Sequence, residues 1–262
     1  MLQLDVLALP AFDKRVIGGW LLQSELAISS VSLVSRINGG GVKCGGTLIS
    51  PRHVITVGHC VITETGMAAG NDQVKVYYGN PNIGKAKSAQ STKVTYYPTY
   101  YSKQTGRDSS KDLAIIEIPE IKLDSTTVDR AVIFDGSLVP GQLGLVVGWG
   151  GAEKGANLNL LRAAYSMVGE PKVCGIKDNN GPTICLPGDL TPGMSACAGD
   201  SGSGMFLNDG GLLKLIGFDS VVWGPGTCGG KGRKHSFVNA HYYMDFIQKT
   251  TGLTSAYLTG SE

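Results

Sequence analysis

The chain has 262 residues, 42% of them hydrophobic and 17% charged, a composition that can bury a core and excludes an intrinsically disordered protein. Lysine and arginine number 23 against 21 aspartates and glutamates, and this formal charge of +2 excludes the strongly basic surface of a nucleic-acid-binding protein. No run approaches the roughly 18 apolar residues of a membrane-spanning helix. We therefore expect neither nucleic acid nor a membrane among its partners.

The N-terminal segment, residues 1–15, has no basic start, and Asp5 interrupts its apolar run. Both features argue against a complete secretory signal. The segment ends in Lys14-Arg15, a pair that a basic-specific protease could cut. We interpret residues 1–15 as a pro-segment.

The rest of the chain carries mainly strand signals. Short runs rich in β-branched residues predict strands at 54–57, 74–78, 113–118, 143–147 and 212–218. One segment, 239–250, predicts a helix, because Tyr243, Phe246 and Ile247 share a face and Gly252 follows as a stop signal. Residues 251–262 are polar enough to predict a solvated tail. The pattern indicates one all-β unit of barrel type with a short C-terminal helix.

The cysteines favour disulfides over a metal site. There are six of them, none in a Cys-x-x-Cys motif, and no histidine stands at zinc-finger spacing from one. We therefore expect no bound metal and an oxidising, extracellular location. Six cysteines allow 15 pairings, and spacing alone does not choose among them. The positions are Cys44, Cys60, Cys174, Cys185, Cys197 and Cys228.

Three segments carry reactive side chains. His59 directly precedes Cys60 at the end of a predicted strand, and Asp112 opens an otherwise apolar strand. Ser201 lies in the glycine-rich turn Gly199-Asp200-Ser201-Gly202. Serine is a weak nucleophile that needs a base, histidine titrates near neutrality, and a buried carboxylate orients the imidazole. The three residue types together predict nucleophilic catalysis.

With these motifs the chain resembles the trypsin/chymotrypsin-like serine proteases over residues 15–250. The resemblance rests on segments in the family's order: Arg15-Val16-Ile17-Gly18-Gly19, Cys44-Gly45-Gly46-Thr47-Leu48-Ile49-Ser50, His59-Cys60, Asp112-Leu113-Ala114, Gly148-Trp149-Gly150, Gly199-Asp200-Ser201-Gly202 and Trp223-Gly224.

The resemblance implies two six-stranded antiparallel β-barrels with the active site between them. The protease domain would span 16–250, with a first barrel at about 28–124 and a second at about 125–238 together with 16–27. The helix and tail would follow at 239–250 and 251–262. It also implies one set of disulfides: Cys44–Cys60, Cys174–Cys185 and Cys197–Cys228.

The resemblance further implies a secreted serine endopeptidase that acts on proteins or peptides without a cofactor. Ser201 would attack the scissile carbonyl, His59 would transfer the proton, and Asp112 would orient His59. The N–H groups of Gly199 and Ser201 would form the oxyanion hole.

Activation is also implied. An activating protease would cut after Arg15 and free the amino group of Val16, which would then pair with Asp200. The chain would therefore be made as a zymogen.

Several positions depart from the family pattern. Val57-Gly58 replaces Ala-Ala before the histidine, and Ser203 replaces the second glycine after the nucleophile. Val222 stands where a serine normally contacts the triad aspartate, so we expect Asp112 to lack one hydrogen bond. No acidic residue occurs between 79 and 93, so no calcium site is expected there.

The specificity pocket is expected to be non-tryptic. Ser195 stands at the pocket floor, where an aspartate would select lysine or arginine, and Gly224 would leave one wall open. His235 is assigned to the opposite wall, where its side chain would shorten the pocket and, if charged, favour an acidic residue. We expect cleavage after acidic or medium-sized residues. The alternative is that the basic segment 231–235 is only a solvated loop.

Two other functions remain open from the sequence. The first is a protease-fold binding module with little or no catalytic activity, in which Val222 and His235 would mark the lost function. The second is an esterase that uses the same three residues.

Overall fold

The computed structural model describes residues 20–22, 28–37, 39–151, 158–187, 196–197, 199–224 and 233–262. Arg15, Val16, Ser195 and Cys228, for which the sequence predicts roles, lie outside these ranges, as does the whole segment 1–15.

Strands dominate the described chain. Their bounds, in order, are β1 (Trp20–Leu21), β2 (Ser30–Ile37), β3 (Gly40–Ser50), β4 (His53–Thr56), β5 (Val74–Tyr78), β6 (Lys87–Gln90), β7 (Lys93–Tyr96), β8 (Tyr101–Ser102), β9 (Gly106–Arg107), β10 (Ala114–Glu117), β11 (Val132–Ile133), β12 (Leu143–Gly148), β13 (Arg162–Met167), β14 (Thr183–Pro187), β15 (Gly204–Asp209), β16 (Leu212–Trp223) and β17 (Lys234–Asn239). The helices are α1 (Met244–Thr251) and α2 (Ser255–Thr259), and short 3₁₀ turns lie at Gly58–Cys60, Ile83–Lys85, Ser109–Lys111 and Pro171–Cys174.

Two curled sheets are built from these strands within the described residues. The first has seven strands in the order β6-β5-β2-β3-β4-β10-β7. The second has eight strands, ordered β1-β13-β12-β15-β16-β17-β14, with β11 added beside β16. Only the β11–β16 pair among these is parallel. A separate hairpin joins β8 and β9.

Alternation along the strands sets which face is buried. In β5, Val74 and Val76 are buried whereas Lys75 between them is exposed. The same rule buries Val31 and Leu33 of β2 completely. Successive side chains of a strand point to opposite faces, so each sheet turns one apolar face inward. Burial of this apolar surface is the main stabilising contribution to the fold.

The predicted two-barrel architecture with a short C-terminal helix is confirmed. The described strands number seven and eight rather than six in each unit, because the short strands β1 and β11 extend the second sheet and β7 extends the first. None of the described helices is long and apolar enough to cross a membrane.

The C-terminal region differs from the prediction at both ends. The helix α1 begins at Met244 rather than at 239, because β17 continues to Asn239 and a turn follows. The prediction of a solvated tail is wrong. Residues 255–259 form α2, and Leu258 is fully buried. The guanidinium of Arg130 lies 3.9 Å from the Tyr257 ring centre and donates a 2.7 Å hydrogen bond to the Tyr257 carbonyl.

Candidate active site

Two neighbouring strands of the first sheet bring His59 and Asp112 together. β4 and β10 pair antiparallel, and Thr56, the last residue of β4, pairs with Ala114, the first residue of β10. The chain leaving β4 and the chain entering β10 therefore meet at one edge of the sheet. His59 follows in the 3₁₀ turn Gly58–Cys60, and Asp112 ends the 3₁₀ turn Ser109–Lys111.

Asp112 holds His59 through two hydrogen bonds. The His59 backbone N–H donates to Oδ1 at 2.9 Å, and Oδ2 lies 2.7 Å from the ring nitrogen Nδ1. The carboxylate is 1% exposed, so water does not compete for it. Because an ionised carboxylate accepts but cannot donate, Nδ1 carries the hydrogen in this contact, and Nε2 is left to accept a proton.

A third hydrogen bond to Asp112 corrects the sequence analysis. The hydroxyl of Ser220 donates to Oδ2 at 2.7 Å, so the expectation that Val222 deprives Asp112 of this bond is wrong. The register between β16 and β17 shifts between Asp219 and Val221, which leaves Ser220 outside the paired residues. The resemblance, aligned on the Trp223-Gly224 pair, does not indicate this serine, and Ser220 has no local sequence signature of its own.

The environment of Asp112 favours its charged form. Burial opposes ionisation, but the hydrogen bond and charge of His59, together with the Ser220 hydroxyl, hold the pKa of Asp112 below its usual value. Tyr100 packs against the same site and is 2% exposed. Burial and the Asp112 charge raise the pKa of the Tyr100 hydroxyl, so it stays neutral.

Ser201 lies between the two sheets. Its carbonyl accepts a 2.8 Å hydrogen bond from the Gly45 N–H of β3, and the next N–H, of Gly202, donates to the Asp219 carbonyl of β16 at 2.7 Å. Gly202 has a φ of +81°, and a Cβ there would collide with the Gly45 carbonyl and the Thr56 hydroxyl. Glycine is therefore required where the turn docks onto the first sheet.

The two predicted oxyanion donors, the N–H groups of Gly199 and Ser201, form no hydrogen bond with the described residues. Asp200, Gly202 and Ser203 each donate their N–H to a backbone carbonyl. Among the hydrogen bonds of the described residues, none uses the N–H of Gly199 or of Ser201. Gly199 has a φ of +92°, a conformation that glycine adopts without strain. These two N–H groups are available to bind a developing negative charge.

Ser201 and His59 sit on facing elements without a direct bond. Sγ of Cys60, the residue after His59, lies 3.8 Å from the Ser201 carbonyl oxygen. The described structure has no hydrogen bond between the Ser201 hydroxyl and the His59 ring. In free enzymes such catalytic hydrogen bonds are often long and tighten only when substrate binds.

Asp200 is buried next to this turn. One carboxylate oxygen, Oδ1, accepts from the Gly150 N–H at 2.7 Å, and Oδ2 accepts from the Cys197 N–H at 2.9 Å. Burial raises the pKa of Asp200 to about 7, with the charge of Asp219 adding to the rise and the two N–H groups opposing it. A cation beside Asp200 would favour its ionised form. Val16, the predicted source of that cation, lies outside the described residues.

His235 is placed deeper than the sequence implies. It is 4% exposed on β17, where it pairs with Val222 of β16 and Leu186 of β14. Its Nδ1 lies 3.8 Å from Oδ1 of Asp219, a carboxylate that is 1% exposed. A charge on His235 would therefore be balanced by Asp219, a residue that the sequence analysis did not assign to the pocket.

The contact of Ser220 with Asp112 also moves the predicted pocket wall. The resemblance places a glycine two residues after the serine that contacts the aspartate, and here that position is Val222. Gly224 stands four residues after Ser220. Gly224 therefore lies two residues beyond the position that the resemblance gives to the open wall. Ser195, assigned to the pocket floor, lies outside the described residues.

Two of the three implied disulfides are confirmed. Cys44 is bonded to Cys60, and Cys174 is bonded to Cys185. Cys197 is disulfide-bonded as well, and its predicted partner Cys228 lies outside the described residues. The first bridge joins β3 to the residue after His59 and so braces the turn that carries the imidazole.

One cluster of described residues has metal-ligand atoms close together, Cys44, His59 and Cys60. Its two sulfurs are joined in the disulfide, so they are not the thiolates that bind a metal. The cluster therefore does not suit a metal ion.

Comparisons with known proteins agree with this geometry. The family model described as Trypsin matches residues 24–247. The chain is 28% identical over 247 residues to the trypsin of Squalus acanthias, covering 92% of this chain and 98% of the relative. It is 29% identical over 253 residues to human Trypsin-3, covering 93% and 75%. A solved structure of HL collagenase is similar with a TM-score of 0.74 and 27% identity, covering 91% of this chain and 99% of that one.

Proposed function

Since the chain belongs to the trypsin family, we propose that it is a serine endopeptidase that hydrolyses peptide bonds through an acyl-enzyme on Ser201. The observation that carries this proposal is that Asp112 forms two hydrogen bonds with His59, to Nδ1 at 2.7 Å and to the backbone N–H at 2.9 Å. These contacts leave Nε2 as the ring nitrogen that can accept a proton.

The chemistry follows from the three side chains. Ser201 Oγ attacks the scissile carbonyl carbon while its proton passes to Nε2 of His59. Asp112 stabilises the resulting imidazolium without taking the proton. His59 then gives that proton to the leaving amine as the C–N bond breaks, which leaves an ester on Ser201. Water attacks this ester by the same route, and the acid product departs.

The N–H groups of Gly199 and Ser201 would stabilise the tetrahedral oxyanion. They are the free donors of the turn, and backbone N–H groups cost no reorganisation during the reaction. Removal of one such donor typically lowers kcat by about 10²–10³.

Hydrolysis of internally quenched peptides by the chain cut after Arg15 tests this function. We expect Ser201→Ala and His59→Ala each to lower kcat by about 10⁶-fold, as in other enzymes of this type. Asp245→Asn, an exposed change on α1, serves as the folded control. Hydrolysis that persists in Ser201→Ala would contradict the proposal.

We also propose that the chain is a zymogen secreted to the extracellular space. The disulfides support an oxidising compartment, because such bonds are rare where thiols are kept reduced. The buried Asp200, poised with a pKa of about 7, supports activation by a new amino group at Val16. Equal activity of the intact chain and the chain cut at Arg15 would contradict zymogen activation.

For specificity we propose cleavage after medium-sized residues rather than basic ones. Val222 and His235 are paired neighbours on β16 and β17, so their side chains lie on the same face and together would narrow the predicted pocket. Because Asp219 balances any charge on His235, a medium-sized uncharged residue fits better than an acidic one. Profiling with a peptide library tests this, and rapid cleavage after arginine would contradict it. His235→Gly should widen acceptance toward aromatic residues.

A binding module is the second candidate. The observation that favours it is that Ser201 and His59 share no hydrogen bond in the described structure. A cut chain that binds peptides but fails to hydrolyse them, with wild type and Ser201→Ala alike, would support that candidate.

A further inference from the structure

The part of the first sheet that precedes β10 is far more basic than the chain as a whole. Residues 28–107 contain nine lysines and arginines but only two acidic residues, Glu64 and Asp72. From 73 to 107 there is no acidic residue at all. Since the whole chain has a formal charge of only +2, the rest of it carries more acidic than basic residues. The positive charge is therefore concentrated in residues 28–107.

Strand pairing places three of these cations on one outward face. Val34 of β2 pairs with Lys43 of β3 on one side and with Lys75 of β5 on the other. Directly paired residues of neighbouring strands point to the same face, so Lys43 and Lys75 flank Val34 in one row. Arg36 lies two residues further along β2 and points the same way. We call Arg36, Lys43 and Lys75 the basic face.

The charges of the basic face are exposed and not neutralised. Arg36, Lys43 and Lys75 are all exposed, and none forms an ion pair with any residue that the structure describes. Other cations of the same sheet are paired, since Arg52 contacts Glu120 at 3.0 Å and Lys93 contacts Glu117 at 2.9 Å.

The environment of the basic face offers little competing charge. Asp72 lies beyond the Arg36 end, where the Arg36 N–H bonds the Gln73 carbonyl, and it makes no ion pair with the described residues. Nζ of Lys75 lies 5.2 Å above the Tyr77 ring, which holds that cation over the sheet surface.

The basic face is continuous with the nucleophile turn. The neighbouring row on the same face pairs Ser32 with Gly45, and the Gly45 N–H bonds the Ser201 carbonyl. Two residues along a strand span about 7 Å, so the row of Lys43 lies one step from the active site. A cleft of about 190 Å³ joins the two rows, and its lining includes Ser32, Lys43 and Gly199.

The position of this cleft indicates which part of a substrate would reach it. The Ser201–Gly202 turn is held by Gly45 of β3 on one side and by Asp219 of β16 on the other. The pocket proposed for the residue before the scissile bond lies on the β16 side. The chain that follows the scissile bond would therefore leave toward β3 and the basic face.

We propose that the basic face binds an acidic stretch of the substrate polypeptide on the carboxyl side of the scissile bond. This inference rests on the proposed protease function and names a substrate class for it. Charge complementarity and continuity with the cleft favour a peptide segment over a detached polyanion. A single exposed ion pair contributes little to binding, so the effect depends on several cations acting together.

Paired peptide substrates test the proposal. The two members share the residues up to the scissile bond, and the four residues after it are either aspartate and glutamate or asparagine and glutamine. At low salt we expect kcat/KM about fivefold higher for the acidic peptide, with the ratio approaching one in 0.5 M NaCl because salt screens exposed charges. A ratio of one at low salt would overturn the proposal.

Matched variants locate the effect. Arg36→Gln combined with Lys75→Gln should bring the ratio of the acidic to the neutral peptide close to one. Lys122→Gln combined with Lys249→Gln removes the same charge from exposed positions elsewhere and should keep the ratio. A ratio that survives the first pair, or falls equally with the second, would contradict the assignment to the basic face.

Two further arms separate this inference from its premise. Moving the acidic residues to the amino side of the scissile bond should remove the advantage, and an equal advantage there would contradict the proposed direction. Fluorescence anisotropy with Ser201→Ala measures binding of the labelled acidic peptide without hydrolysis. If wild type fails to cleave either peptide, the protease function fails. Weaker binding of the acidic peptide by the Arg36→Gln/Lys75→Gln form of Ser201→Ala would still support the basic face, and unchanged binding would overturn it.

Discussion

Ser220 of the second sheet donates a 2.7 Å hydrogen bond to Asp112 of the first sheet. The same Oδ2 atom contacts Nδ1 of His59 at 2.7 Å. One carboxylate oxygen thus joins the strand that flanks the nucleophile turn to the histidine from the other sheet. This hydrogen bond therefore links the two sheets at the point where proton transfer would occur.

Ser220→Ala should lower kcat while KM changes little. The change leaves a buried carboxylate short of one partner, and hydrogen bonds to charged groups are worth about 1.5–3 kcal/mol. We therefore expect a loss of about 10- to 100-fold in kcat, measured with a neutral peptide. Ser137→Ala, at an exposed position, is the matched control. An unchanged kcat in Ser220→Ala would show that the contact does not position Asp112.

A buried histidine outside the site should make stability depend on pH. His53 lies at the β3–β4 turn, and its Nδ1 is 2.8 Å from the Ser50 hydroxyl. That oxygen already accepts the N–H groups of Arg52 and His53, so its own proton goes to Nδ1. Burial lowers the pKa of His53 below 6.5, although the charge of Glu117 opposes this. The folded state therefore favours the neutral ring.

The sign of this effect follows from the lowered pKa. The contribution of His53 to the free energy of unfolding is complete above pH 6.5 and is lost as the pH falls toward the folded-state pKa. Urea unfolding of wild type and His53→Gln from pH 8 to pH 4 measures it. The advantage of wild type should shrink below pH 6.5, whereas Ser137→Ala, an exposed change that removes no ionisable group, should differ from wild type by a constant amount. A constant difference across the range would contradict the prediction.

Leu258→Ala should destabilise the fold without altering catalysis. Leu258 of α2 is fully buried, and truncation of such a leucine typically costs about 2–5 kcal/mol. Leu212→Ala is the matched control, since Leu212 is 53% exposed and should change the free energy of unfolding by less than about 0.5 kcal/mol. Equal stability of the Leu258→Ala form and wild type would show that α2 is not packed as described.

Asp200→Asn should inactivate the cut chain while leaving it folded. The carboxylate accepts one N–H on each oxygen, from Gly150 and Cys197, and an asparagine offers only one acceptor oxygen. It also cannot form the proposed ion pair with Val16. We expect kcat/KM to fall by at least about 10²-fold. The exposed change Asp245→Asn should keep kcat/KM within about threefold of wild type, and comparable activity of both variants would contradict a role for Asp200.

The site residues that the sequence predicts are those whose chemical roles require a particular residue type in a local motif. His59 and Asp112 each have a local signature, and their strands are adjacent in the first sheet, so pairing brings them together. Ser220 has no such signature. Its contact depends on a register shift between Asp219 and Val221, and a bulge changes the alignment without leaving a mark in composition.

In the C-terminal region, tertiary packing decides a structure that the local sequence does not predict. The segment 255–259 is short and partly polar, so its pattern of apolar residues does not distinguish a packed helical turn from an exposed tail. Burial of Leu258 and the stacking of Arg130 on Tyr257 decide the outcome, and both come from residues distant in sequence. Local propensity is easily overridden by such tertiary contacts.

We propose that Ser201, His59 and Asp112 form a working nucleophilic site once the chain is cut at Arg15. Fluorophosphonate labelling of the intact and the cut chain, with Ser201→Ala as control, measures whether Ser201 is nucleophilic. We expect strong labelling of the cut chain, little labelling of the intact chain and none in the variant. Absence of labelling in the cut chain would contradict a working nucleophile and leave the protease-fold binding module as the better description.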